Sequence, residues 1–206
     1  MPETLISAEL VGPTRARSGR PTADVFGPFP TLFPVGRRSS LAFGACMKGE
    51  KMVPWHEFVV AAPGLAATGE DLLFQFGVGL AFLATIRKDG GPRLHPVCPV
   101  LSQGRLYVLI IPTSPKQQDL LRDGRYALQT FPQPKPASAE FYLTGRADLI
   151  EEPSLRRAVL QDAKHKAHES ESLFELKVER AMHTTWEGWG TAALRPIHSK
   201  WRVPEG

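Results

Sequence analysis

Ser114 and Lys116, separated by Pro115, are the residues of this chain whose types and spacing most directly suggest chemistry. They open the stretch from Ser114 to Gly124, which reads as a short helix. Ser114 suits the N-cap, and Pro115 the first helical position, where its missing N–H costs nothing. Gln117, three residues after Ser114, completes a Ser-x-x-Gln capping box, and Gly124 is the expected left-handed terminator. Lys116 runs against this pattern, because a cation in the first turn opposes the helix macrodipole by ~0.3–1 kcal/mol. An anion docked there reverses the sign: free N–H groups, the Ser114 hydroxyl and the Lys116 ammonium would converge on it. A solvated surface lysine above an ordinary cap accounts for the same residues, so the local pattern leaves both readings open.

The other chemistry-bearing residues are more dispersed. Arg93, His95 and Val97 alternate along one face of an expected strand, so His95 could hydrogen-bond a ligand or serve as a satisfied histidine at a barrel mouth. His165 and His168 have a spacing compatible with two metal ligands on a helix. With Lys164, Lys166 and Glu169 beside them, a solvated charged face is the better account, and no metal site is expected. Gly77-Val-Gly79 lacks a third glycine at position 82 and precedes a strand, so it fails as a dinucleotide fingerprint. No Ser/His/Asp order and no paired carboxylate stands out. Catalytic residues therefore stay unassigned, as expected where a bound cofactor carries the chemistry.

The elements that must position these residues can be read in order. Trp55 to Ala62 and Ala66 to Phe76 form two short helices, with Pro63-Gly64 as a turn between them. Leu80 to Ile86 is a strand, and Asp89-Gly90-Gly91-Pro92 closes a hairpin onto Arg93 to Leu101. Pro96 and Pro99 cannot donate to a ladder, so that second strand must lie at an edge or be bulged. Leu106 to Ile111 reads as a strand buried on both faces. The Ser114 helix follows it, and then a strand from Tyr126 to Phe131. Residues 132 to 138 are too rich in proline for a ladder. Glu140 to Ile150 alternates as a long strand, with Gly145 marking a bend. Pro153 opens a helix to about Lys166, Leu173 to Val178 alternates again, and Trp186 to Gly190 and Ile197 to Val203 supply the closing strands. The fold class is α+β: six or seven mainly antiparallel strands with a few short helices suggest a small closed β-barrel.

Composition sets the outer limits. The 206 residues carry a net charge of +4, yet residues 1–51 hold seven Lys/Arg against four Asp/Glu, while the remainder holds 18 against 17. The basic excess thus lies outside the expected domain, which argues against nucleic acid as a partner. Residues 1–51 also contain six Pro and six Gly without periodicity, and read as a poorly ordered Pro/Gly/Arg-rich extension; a biological start at Met52 is a further possibility. Residues 52–206 form the domain. No apolar run approaches the ~20 residues of a membrane span, and no secretory signal is visible, so the expected location is cytoplasmic. Cys46 and Cys98 are too few for a disulfide framework.

Several of these features together carry a resemblance. A strand–hairpin–strand unit precedes Leu-Tyr-Val-Leu-Ile-Ile (106–111), Ser114-x-Lys116 with Leu120 and Gly124-Arg125 follows, and then the Gly145-centred strand. This series, spanning roughly residues 55 to 203, resembles the pyridoxamine-5'-phosphate oxidase-like superfamily of flavin-binding split barrels. Leu-Phe-Glu-Leu at 173–176 and Trp186-Glu-Gly-Trp189-Gly are similar to uncharacterised actinobacterial members. The resemblance implies a homodimer that binds FMN, or the deazaflavin F420, in two clefts between subunits. Haem is the less expected cofactor. It further implies that Ser114 and Lys116 grip the cofactor phosphate. The stretch Arg93, Leu94, His95, Pro96 and Val97 would lie along the ring system and ribityl chain, with Ile110 and Glu140 also at the site.

The departures narrow the activity. Pro115 stands where the pyridoxamine oxidases typically carry an arginine, so one phosphate-binding guanidinium is absent, with Arg93 and Arg125 the candidates to compensate. Leu109-Ile110 replaces a Tyr-Thr pair, and Glu140 stands in place of a glutamine. The implied function is a flavin- or deazaflavin-dependent oxidoreductase acting on a small molecule other than the vitamin. The alternative is a non-catalytic flavin, F420 or haem carrier of the same fold.

Overall fold

The structure is a computed structural model and describes residues 51–133 and 139–205. The expected N-terminal extension, apart from its last residue, and residues 134–138 of the Pro-rich loop lie outside the described residues.

Two helices come first, α1 (Trp55–Ala61) and α2 (Pro63–Leu73). Pro63 begins the second helix rather than forming a turn between the two, because its fixed φ and missing N–H suit the first helical position. Four strands follow: β1 (Ala81–Ile86), β2 (Pro92–Val97), β3 (Pro99–Ser102) and β4 (Arg105–Ile110). Then come α3 (Pro115–Arg122), β5 (Arg125–Thr130), β6 (Glu140–Ile150), α4 (Pro153–Asp162), β7 (Ser172–Glu187) and β8 (Arg195–Arg202).

All neighbouring strands are antiparallel, in the order β2-β1-β5-β6-β7-β4-β3, with β8 also paired to β7. The two ends of this path, β2 and β3, follow one another in sequence with only Cys98 between them. A seven-strand path can meet that condition only if the sheet curls until its edges come together. The two prolines fit this arrangement. Pro96 pairs only with Phe82 on β1, and Pro99 only with Val108 on β4, so each sits in a terminal strand where a missing donor breaks no second ladder.

The split arises in β6 and β7. Their register shifts between Thr144 and Gly145, as the bend expected at Gly145 requires. A Cβ built on Gly145 would lie 1.8 Å from the Lys177 carbonyl oxygen, so only glycine permits this approach. On its far edge β7 pairs with β4 through residues 172–175 and with β8 through residues 180–187. The strand expected over Leu173 to Val178 is therefore less than half of an element of 16 residues. Its second half, from Arg180 to Glu187, mixes charged, polar and aromatic residues and shows no clean alternation.

The core follows from the strand periodicity. Leu83, Leu106, Val108, Leu128, Phe141 and Leu176 fill the barrel, and Trp55 and Phe58 of α1 pack against them. α2 approaches β6 closely at Gly69, where a Cβ would meet the Phe141 ring at 2.3 Å. A second cluster of Val100, Tyr107, Val159 and Leu173 seats α4 against β3 and β4. Both faces of β4 are thus covered, as its unbroken apolar run requires. Among the described residues, no helix is long and apolar enough to cross a membrane.

Candidate functional site

The site is built where α3 docks beside β1 and β2. Ser114 precedes the helix with extended backbone (φ −70°, ψ 134°), and Pro115 takes the first helical position. The expected capping box does not form. The Ser114 hydroxyl makes no hydrogen bond to the helix, Ser114 N–H donates to the Ile111 carbonyl, and Gln117 N–H donates to the Ser114 carbonyl at 3.0 Å. Gln117 is instead buried, with its side-chain carbonyl oxygen unpaired. Gly124 is also not the left-handed terminator expected, since its φ is not positive. The need there is for room: Gly124 accepts from Ala147 N–H at 2.7 Å, and a Cβ would come within 2.8 Å of the Ala147 oxygen.

Freed from capping, the Ser114 hydroxyl has no partner among the described residues. Lys116, half-buried beside it, has no ion pair or hydrogen bond there either. Desolvation lowers the Lys116 pKa below its ordinary value, and Glu171 and Cys98 nearby partly offset this. The start of α3 thus presents an ammonium and a hydroxyl that have no protein partner among the described residues and are free to meet an anion.

Asp119, one turn further along, fastens the helix. Its carboxylate accepts from Thr85 Oγ1 at 3.0 Å, Arg93 Nε at 2.6 Å and Arg122 at 3.1 Å. Arg122 also donates to the Ile86 carbonyl at the end of β1. Burial pushes the Asp119 carboxyl up, but the hydrogen bonds from Arg93, Arg122 and Thr85 outweigh it and leave it below the usual range. His95 lies between these groups electrostatically. Burial lowers its pKa, Lys116 and Arg93 lower it further, and Asp119 opposes them, so the imidazole is neutral at pH 7.

The residues implied by the sequence therefore divide into groups. Arg93 of β2 meets Asp119 in the middle of α3, His95 shares its face of β2, and Ser114 and Lys116 stand at the start of the helix. Arg93, His95 and Val97 pair with Thr85, Leu83 and Ala81 and share their inward face, with Val97 buried in the core. Leu94 and Pro96 turn to the opposite, exposed face. Ile110 is buried in the core at the end of β4, leading into Ser114. Glu140 opens β6 opposite Thr184. Arg125 pairs with Asp123 at 2.6 Å. Sequence reasoning missed Asp119. Its only local signal is an acid on the Lys116 side of the helix, three residues before Arg122, and the partners that make it matter are on β1 and β2.

No family model and no curated protein matches the sequence. Solved structures do. A haem-binding protein from Mycobacterium smegmatis matches at 22% identity and TM-score 0.48, over 65% of this chain; the chain spans 57% of that protein. A NimC/NimA family protein from Clostridium acetobutylicum matches at 15% identity and TM-score 0.47, over 70% of this chain and 99% of that one. A candidate pyridoxamine 5'-phosphate oxidase from Listeria innocua matches at 18% identity and TM-score 0.45, over 56% and 94%. The strand path closing through Cys98 and the fork of β7 decide the architecture. The fold is a split barrel. It has the α+β build expected from the sequence. At the start of α3 in this split barrel, the Ser114 hydroxyl, the Lys116 ammonium and the buried Gln117 side-chain oxygen are without hydrogen-bond partners among the described residues.

Proposed function

We propose that this split barrel binds a phosphate-bearing flavin, FMN, or the deazaflavin F420, and serves as an oxidoreductase on a small molecule. The unpaired, partly desolvated Lys116 beside the idle hydroxyl of Ser114, at the start of α3, carries the reading. A cofactor phosphate would supply the missing partner. These residues fit a phosphate monoester, whose oxygens take charge-assisted hydrogen bonds from a lysine, a hydroxyl and a helix N-terminus. Once bound, a flavin or deazaflavin exchanges hydride at its ring. The chain contributes binding and orientation: Lys116 and Ser114 hold the phosphate, the inward face of β2 lies alongside, and neutral His95 offers a hydrogen bond to ring or substrate.

A second reading rests on His95. An imidazole held neutral between two cations suits a metal ligand, and the same cations would accept carboxylates, so a haem-binding or carrier role is the alternative. We also infer a homodimer, as many ligand clefts lie between two chains. It is supported by Leu94, 62% exposed, beside Pro92 and Pro96, with Phe82 and Phe131 stacked at 4.1 Å on the same sheet face.

The absorbance spectrum of the purified protein, followed by titration with FMN, F420 and haem, tests these readings. Flavin or deazaflavin bands that bleach with NAD(P)H or on photoreduction support the oxidoreductase. Haem bands with no flavin affinity overturn it in favour of the second reading.

A further inference from the structure

A cavity of about 220 Å³ lies between β3 and the C-terminal ends of α2 and α4. Much of its wall is apolar, made by Phe74, Pro99, Val100 and Leu101. Backbone contacts fix that wall. Leu80 N–H donates to the Leu73 carbonyl at 3.0 Å, which ties the end of α2 to the start of β1. Gly79 comes so close to β3 that a Cβ there would lie 2.0 Å from the Pro99 oxygen. Three charged side chains complete the lining: Glu70, Asp162 and Lys164.

The two acids oppose the helices that carry them. Glu70 lies in the last turn of α2 and Asp162 is the final residue of α4, where a carboxylate meets the negative end of the macrodipole. Neither last turn holds a basic residue, and neither acid has an ion pair or a side-chain hydrogen bond among the described residues. Two carboxylates and two helix C-termini therefore converge on one small hollow, which Lys164 leaves net negative. Lys164 pairs with neither acid. Its ammonium sits over the Phe74 ring instead, 5.9 Å from the centroid and within cation–π range. The aromatic wall of the cavity thus already carries a cation, one supplied by the chain itself.

We propose that this cavity binds a small organic ammonium ion, its apolar body on Phe74 and Leu101 and its charge between Glu70 and Asp162, in competition with Lys164. The size suits a small ligand, since pockets for drug-sized molecules run to ~300–1,000 Å³. The chemistry favours an amine over a metal ion. Among the described residues no three of His, Cys, Asp and Glu stand together as ligands, whereas a hard cation takes about six oxygens. The inference stands apart from the phosphate reading and survives its failure.

Benzylammonium and benzyl alcohol, alike in shape and different in charge, are the probes, each titrated into the full chain and followed by amide NMR. Benzylammonium should shift the signals of Phe74, Gly79 and Leu101 saturably, and benzyl alcohol should bind about tenfold more weakly. Glu70→Gln and Asp162→Asn should each weaken benzylammonium by about tenfold. Both side chains are exposed, and removing either charge relieves its helix dipole, so the melting temperature should stay level or rise slightly. Lys164→Met removes the resident cation and should tighten benzylammonium severalfold. Absence of saturable shifts, equal affinity for the two probes, or acid variants that bind as wild type does would overturn the proposal. A Lys164→Met protein that binds more weakly would also overturn it, because the lysine would then be a contact for the ligand and not its competitor.

Discussion

At the scale of single residues, the structure separates two roles that the sequence merges in Ser114. The pattern Ser-x-x-Gln pointed to a cap, yet the hydroxyl makes no such bond and the Gln117 side chain is buried instead. Losing the cap makes the anion reading sharper, since the hydroxyl then has no structural employment. Ser114→Ala is accordingly expected to leave the ligand-free melting temperature within about half a kcal/mol equivalent of wild type, well short of the ~1 kcal/mol that a lost cap costs. It should still weaken FMN. Lys116→Ala removes a charge-assisted contact worth roughly 1.5–3 kcal/mol, a tenfold to hundredfold rise in dissociation constant. In the absence of ligand the same substitution should leave stability unchanged or slightly raised, because a half-desolvated cation facing the helix dipole is lost. Thermal melts of both variants with and without FMN check this. A Lys116→Ala protein that keeps the full ligand-induced shift would make Lys116 an ordinary surface lysine.

At the scale of elements, two joints hold the site in place. The first is the bulge of β6 over β7. Gly145→Ala puts a methyl group 1.8 Å from a backbone oxygen that no rotamer change can move. The expected loss is about 1–3 kcal/mol, or a melting temperature lower by several degrees, with strands β5 to β7 forced apart. The second joint is Asp119, which pins α3 to β1 and β2. Its pKa is depressed in the folded protein, so its contribution is fully present above the ordinary carboxylate pKa of about 4. That contribution disappears as pH falls through the lower folded value. Denaturation of wild type and Asp119→Asn should therefore show a stability gap at pH 7 that narrows below pH ~4; a gap independent of pH would mean the carboxylate is not ionised there. These joints also mark what the sequence could reveal. The β6 span, the Gly145 bend and the edge placement of Pro96 and Pro99 were legible because alternation and proline chemistry are local. The full length of β7 was not, since its second half is held by pairing to β6 and β8 rather than by an apolar pattern. Asp119 stayed hidden for the same reason: its partners Thr85 and Arg93 are 34 and 26 residues away.

At the scale of the whole molecule, one face of the barrel is left uncovered by the described residues. Strands β2, β1 and β5 turn Leu94, Pro96, Phe82, Ala84 and Ala127 to the same side, and β2 ends the strand path with an edge that pairs with no further strand among the described residues. The burial of these positions is partial or slight, unlike the inward row of Leu83, Ala81 and Leu128. Apolar residues gathered beside a free edge are usually covered by another chain in a native protein. A second copy is the occupant we infer, which predicts a particle of twice the 22.7 kDa chain mass by light scattering at micromolar concentration. Leu94→Glu is the decisive variant. In a single chain this side chain is largely exposed, so a carboxylate there costs the barrel little and the circular dichroism spectrum should be unchanged. In a dimer it would desolvate an unpaired charge at the contact and drive the protein to monomer. If the cofactor cleft lies between subunits, FMN affinity should fall with the dimer although residue 94 points away from Lys116. A Leu94→Glu protein that stays dimeric would place the contact elsewhere on the barrel. One that becomes monomeric with FMN affinity intact would show that a single chain completes the site.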